Sequence, residues 1–311
     1  MSRRTIVLDC DPGQDDAVAI LLALASPEEL EVRAVTTVAG NVPLVRTVDN
    51  ALRLVELAGA RVPVHAGAAR PLLRPLVTAE HVHGESGIDG AELPPARRRP
   101  EPAHAALAIA RHLLDPTAVR PTLVATGPLT NVALALALHP ELARRLEGIV
   151  LMGGAVGPGN VTPAAEFNMY VDPHAARMVF EAGVPVTMFP LDVTHRVLVT
   201  EARLARIRAV GTRAARAVAG MLAFYRTRGR TGGAADGPLH DPCTVAWLLR
   251  SELFRGRSCR VEVECESALG LGRTYVDLHG VTGRPANAEV MLEADADGFF
   301  DLLCARLARL D

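Results

Sequence analysis

The 311-residue sequence predicts an α/β protein: one domain built on an open, mainly parallel central sheet flanked by helices. Apolar strand-like runs alternate with helical patterns along almost the whole chain, as in successive βαβ units. No repeat or break in composition divides it, and its length supplies ample core for one large domain. Polar clusters follow the apolar strands, at the strand ends where open α/β sheets bind ligands.

The first strand is read at 5–9, where Thr5-Ile6-Val7-Leu8 is a buried apolar run. The first helix, at 16–25, opens on Ala17-Val18-Ala19-Ile20-Leu21-Leu22. Further strands are expected at 32–38, 62–65, 121–126, 148–152, 184–190, 261–265 and 274–278. Further helices are expected at 43–58, 103–114, 129–137, 172–181, 200–208, 212–226, 242–250 and 297–309. The Pro/Arg stretch 93–100 reads as a surface loop with solvated charges, and the Gly/Ala-rich stretch 229–237 as a mobile segment beside a site.

Between the first strand and helix lies Asp9-Cys10-Asp11-Pro12-Gly13-Gln14-Asp15-Asp16, four carboxylates in eight positions. Charges this close raise each other's pKa unless a cation sits among them. An N-capped helix with a solvated acidic first turn accounts for one or two of the four. An oxygen-rich loop poor in thiolates favours a hard cation, Ca²⁺ or Mg²⁺. It is no EF-hand: counted from Asp9, the sixth and twelfth positions hold Gln14 and Ile20 instead of glycine and a carboxylate.

The remaining composition narrows the classes. A net charge of −2 gives no reason to expect a nucleic-acid or anionic-membrane surface. All 33 basic residues are arginine, which removes every mechanism that needs a lysine. Five widely spaced cysteines form no CxxC pair, and Cys10 and Cys243 read as buried fillers. With no apolar leader before the first strand and no run long enough to span a bilayer, a cytoplasmic protein is expected.

Other polar clusters fall where strands should end: Thr36 to Asn41, Thr126 to Asn131, Met152-Gly153-Gly154, and Leu239-His240-Asp241-Pro242 before an apolar helix. Each also has a plain structural reading. Asn131 and Asp172 stand at helix starts and fit caps. Asn160, Glu166 and Asn168 fit loop residues bonded to their own backbone. His240-Asp241-Pro242 fits a helix opening, and His83 an exposed loop histidine.

Taken together, the blocks resemble one family. Asp9 to Ala17 closely resembles the N-terminal signature of the inosine–uridine nucleoside hydrolases. The resemblance continues through Val38-Ala39-Gly40-Asn41, His83-Gly84, Thr126 to Asn131, Leu151 to Gly154, Ala165 to Asn168 and His240-Asp241-Pro242, in family order over about residues 5–250. It implies a Rossmann-like core that holds one Ca²⁺ at the bottom of a deep pocket and hydrolyses ribonucleosides to ribose and base. Asp11, Asp16 and Asp241 would supply carboxylate ligands and Thr126 a backbone carbonyl. Asp11 would also act as general base on a water, and His240 would serve the leaving group. Asp15 and Asn168 would hold ribose hydroxyls, with Asn160, Glu166 and Met152 around the 5′-hydroxyl, Asn41 near the sugar and His83 at the pocket mouth. The resemblance further implies a homodimer or homotetramer.

Two features stay open. The segment Met221 to Gly237, holding Phe224, Tyr225, Arg226, Arg228 and Arg230, matches no family pattern residue for residue, so the preferred base is undetermined. Two rival functions are an Mg²⁺ phosphohydrolase, because Asp9-x-Asp11 also resembles the haloacid-dehalogenase nucleophile loop, and a non-catalytic nucleoside or ribose sensor. Against the first, Asp15-Asp16 lies in the same loop and no lysine is available for phosphate. Against the second stands the presence of both Asp11 and His240.

Overall fold

A computed structural model describes residues 3–228 and 236–311; most of the stretch expected to be mobile, including Arg230, lies outside the described residues. The strands are β1 (Arg4–Cys10), β2 (Leu30–Thr37), β3 (Val64–Ala66), β4 (Thr122–Ala125), β5 (Gly148–Met152), β6 (Val186–Phe189), β7 (Leu198–Val199), β8 (Gly237–Pro238), β9 (Phe254–Val263), β10 (Thr274–Asp277) and β11 (Ala288–Ala294). Nine of them form one sheet in the order β10-β9-β11-β6-β5-β4-β1-β2-β3, and β7 pairs with β8. Every pairing in the large sheet is parallel except the two made by β9. The mainly parallel architecture expected from the alternating pattern is therefore present.

This topology places the site. The chain lays β2 and β3 on one side of β1, then returns to lay β4, β5 and β6 on the other. The crevice beyond the carboxyl ends of β1 and β4 is thus the switch point, where parallel sheets leave room for a ligand. Strand β1 is buried on both faces, which is why Ile6-Val7-Leu8 reads as continuous rather than alternating. The helix that follows, Gln14–Leu24, is buried from Gln14 through Ala23. Gly13 caps it with no side chain of its own; its N–H instead donates to Asp16 Oδ2 at 3.0 Å.

The structure adds elements that the pattern missed. Strand β11 reads Ala-Glu-Val-Met-Leu-Glu-Ala, a composition poor in strand formers, yet it joins the sheet between β6 and β9. Strand β9 begins at Phe254 rather than 261, because pairing with β11 recruits the polar stretch Arg255 to Ser258. Four short helices, Glu80–His83, Leu142–Arg145, Phe167–Val171 and Leu191–Thr194, are too brief to set a period. Three of these four carry site residues. Cys10 and Cys243 are fully buried, as expected of fillers. Among the described residues no helix is long and apolar enough to cross a membrane.

Candidate active site

A cavity of about 280 Å³ opens at the switch point. Asp15, Asn41, Thr126, Met152 and Asp241 line it, as do Asn160, Glu166 and Asn168. His83 and His240 line it too, with Tyr225, His195 and Arg228. Asp11 and Asp16 are not on the wall; both are fully buried.

The four acids of the first loop are all buried, so the solvated acidic turn is excluded. Asp15, Asp16 and Asp241 each bring one oxygen to within 4.8 Å of the others. Helix Pro242–Leu249 starts at Asp241, whose side chain makes no cap bond and joins the acids instead. The resemblance placed Asp11 in this trio where the geometry gathers Asp15. Asp11 is drawn aside by Asn41, whose backbone N–H donates to Oδ2 at 2.7 Å. Even so, the charges of Asp11, Asp15 and Asp16 all bear on Asp241.

Two glycines make room for Asp11. A Cβ on Gly40 would lie 2.1 Å from Asp11 Oδ2, and one on Gly127 would lie 2.5 Å from Oδ1. A side chain at either position would have to displace the Asp11 carboxylate. Asn41 completes the bracing, its Nδ2 donating to the Asp11 carbonyl and to Asp16 Oδ2, each at 3.1 Å. Asp16 Oδ1 accepts from Thr126 Oγ1 at 2.7 Å. The Thr126 carbonyl accepts from Asn168 Nδ2 at 2.8 Å and keeps its second lone pair.

Burial drives the electrostatics. It pushes Asp16 up to about 7, with the Asp15 charge adding to the shift. Burial and then Asp16 drive Asp11 well above the usual carboxylate range, and burial and then Asp15 do the same for Asp241. Among the described residues, no cationic side chain is one of the main influences on these acids. Asp11 Oδ1 and Asp15 Oδ1 are buried without a hydrogen-bond partner. Oxygen-only donors, orphaned lone pairs and the lack of a counter-charge among the described residues fit a hard divalent cation.

Asp9 is different. Its Oδ1 accepts from Thr36 Oγ1 at 2.6 Å and from Asn131 Nδ2 at 2.9 Å, and it does not reach the cavity. Asn131 is not the cap it resembles: its amide spans Asp9, the Thr37 carbonyl and the Ala68 N–H. Asp172 does cap its helix, accepting from Ala175 N at 3.1 Å. Glu166 combines both readings. It lines the cavity while Oε1 accepts from Asn168 N and Oε2 from Gly154 N, each at 2.9 Å. Gly154 sits at φ +76°, where a Cβ would also strike Met188, so glycine is required there. Asn160 is exposed at the rim, its Oδ1 accepting from Phe167 N at 3.0 Å.

The histidines of the cavity are held neutral. Burial, then neighbouring histidines, lowers His83 and His240 to about 3. Thr194 Oγ1 and His240 Nδ1 share a hydrogen bond of 2.7 Å, and the His195 ring lies 5.6 Å from that of His240. Thr194 and His195 escaped the sequence reading, although they follow β6 at its carboxyl end, the same position that flagged the other clusters. Gln14 reads in the sequence only as part of the acidic signature, with no role of its own; in the fold it is fully buried and bonded to His83. Of the unmatched segment, Tyr225 and Arg228 reach the cavity, whereas Arg226 is tied to Glu201 and Asp236.

The chain is 48% identical to the pyrimidine-specific ribonucleoside hydrolase RihA of Photobacterium profundum over 308 residues, 98% of this chain and 99% of that one. It is 50% identical over 309 residues to the RihA of Shewanella sp. strain ANA-3, covering 98% and 96%. Its fold matches the purine-preferring ribonucleoside hydrolase from Gardnerella vaginalis with a TM-score of 0.91 at 32% identity, over 99% of each chain. Fold, site and relatives agree on an enzyme that hydrolyses N-glycosyl compounds. The sequence model described as inosine-uridine preferring nucleoside hydrolase matches residues 6–301, and the chain belongs to that metal-dependent family. The phosphohydrolase reading of Asp9-x-Asp11 is thereby set aside.

Proposed function

We propose that this protein hydrolyses the N-glycosidic bond of ribonucleosides, pyrimidine ribonucleosides ahead of purine ones, with Ca²⁺ as its cation. The observation that carries this reading is the buried acid cluster opening onto a cavity that neutral histidines also line. Breaking the bond puts positive charge on C1′ and O4′, which the acids can answer, and negative charge on the departing base, which a ring N–H can answer. The pyrimidine preference is supported by identities of 48% and 50% to proteins named pyrimidine-specific, against 32% to one named purine-preferring.

Asp11, Asp16, Asp241 and the Thr126 carbonyl are the proposed cation ligands, with Asp15 close enough to share the site. A Ca²⁺ held by these residues would supply orientation for the ribose diol and the attacking water and would make that water more acidic. Asp11 takes the water's proton at Oδ1, the oxygen without a protein partner, while Asn41 N–H holds Oδ2. Asp15 and Asn168 bind ribose hydroxyls, and Glu166, Asn160 and Met152 surround the 5′-hydroxyl. Direct attack inverts C1′. His240 faces the departing base as a neutral imidazole, and its ring N–H donates a hydrogen bond to the negative charge building there, with the base taking its proton from solvent after departure.

The test is ribose release from uridine, cytidine, inosine and adenosine, measured before and after chelation and again with Ca²⁺ restored. Turnover of the pyrimidine substrates that is lost on chelation and regained with Ca²⁺ supports the reading. Nucleoside binding without ribose production would instead identify a sensor, and a purine-first ranking would overturn the base preference.

A further inference from the structure

The geometry points to Gln14 as a positioning residue that fixes the His83 tautomer and thereby makes the cavity select for bases bearing an N–H. The argument begins with an amide whose orientation is determined by its partners. Gln14 is fully buried, and its Nε2 donates to two backbone carbonyls, His83 O at 2.8 Å and Asp89 O at 3.3 Å. Carbonyls only accept, so the nitrogen must face them and Oε1 must face the His83 ring. Oε1 lies 2.7 Å from His83 Nδ1.

An amide oxygen brings no proton to that bond, so Nδ1 carries it. A neutral imidazole with its proton on Nδ1 has a bare lone pair on Nε2. Two further contacts hold the ring. Its Nδ1 edge packs on Gly13, where a Cβ would come within 2.5 Å, and its face stacks on Tyr225 with centroids 5.6 Å apart. Asn50 ties the two loops together, its Nδ2 donating to Pro12 O at 3.0 Å and Ser86 O at 2.7 Å. His83 lines the cavity, and among the described residues no protein donor reaches Nε2.

His83 therefore offers the cavity an acceptor in a set orientation. Uridine carries an N–H at N3, cytidine an exocyclic amine and inosine an N–H at N1. A pyrimidin-2-one riboside carries no N–H on its base and leaves the Nε2 lone pair unmatched. Which nucleoside enters rests on the hydrolase reading above; the tautomer does not.

Two measurements separate the two claims. Long-range ¹H–¹⁵N correlation on protein labelled with ¹⁵N-histidine reads the His83 tautomer directly, with the signal assigned by its loss in His83→Gln. The expected pattern is the Nδ1–H form in the unaltered protein, moving toward Nε2–H in Gln14→Met, which offers no comparable acceptor. An Nε2–H pattern in the unaltered protein overturns the proposal whether or not the variant folds. In parallel, the ratio of kcat/KM for uridine over the pyrimidin-2-one riboside should fall about fivefold to tenfold in Gln14→Met, the size of one neutral hydrogen bond. Comparing the same two substrates in both proteins cancels their difference in leaving ability. An unchanged ratio in a folded variant overturns the selection role. Absence of uridine turnover in the unaltered protein would instead defeat the hydrolase reading and leave the tautomer result standing.

Discussion

Gly127→Ala tests the proposed base at a single atom. The new Cβ would stand 2.5 Å from Asp11 Oδ1 and 3.0 Å from Val38 Cγ1. Ordinary contact needs about 3.5 Å, so the carboxylate must retreat by about 1 Å. It has little freedom to do so, because Oδ2 is held by the Asn41 N–H at 2.7 Å. A displacement of about 1 Å in a reacting group costs roughly a hundredfold in rate. Overpacking of this kind costs about 1–3 kcal/mol of stability, which leaves a folded protein. The assay is ribose release from uridine at saturating Ca²⁺, with Tm and circular dichroism as controls on folding. A kcat within a few fold of the parent's would refute the placement of Asp11 Oδ1 at the reacting water.

Asp241→Asn should weaken Ca²⁺ binding by about tenfold or more in a calorimetric titration, since it removes one of few charged ligands; equal affinity would take Asp241 out of the site. His240→Gln should slow natural nucleosides by roughly a hundredfold while sparing p-nitrophenyl riboside, whose leaving group needs no proton. Equal losses on both substrates would contradict that role. Asp9 gives a pH prediction. Burial raises its folded-state pKa to about 7, so the stability it contributes is complete below its ordinary pKa and is lost as pH rises through 7. Asp9→Asn should therefore gain in Tm relative to the parent between pH 5 and about 8; parallel curves would show that Asp9 does not titrate there.

How much of this was legible depended on how local each signal is. The run Thr5-Ile6-Val7-Leu8, the acids after it and the apolar helix beyond could be read directly, because burial on both faces writes itself as an unbroken apolar run. Strand β11 could not: Ala288 and Glu289 carry little strand preference, and only pairing with β6 and β9 makes them extended. His83, Asn168 and Thr194 sit on helices of four or five residues, below the length at which periodicity speaks. Their residue types flagged two of the three, and Thr194 gave no such signal.

From its sequence alone this chain determined its layer order, its family resemblance and the identity of its acids, since each is written in residue type and short-range spacing. Only the folded chain decided that Asp241 leaves its cap position to join Asp15 and Asp16, that Gly40 and Gly127 must stay bare to admit Asp11, and that an amide in the acidic loop sets the proton on a histidine 69 residues away. Those outcomes rest on close approach between distant segments. Such approach is fixed by sheet order and packing, which no local pattern encodes.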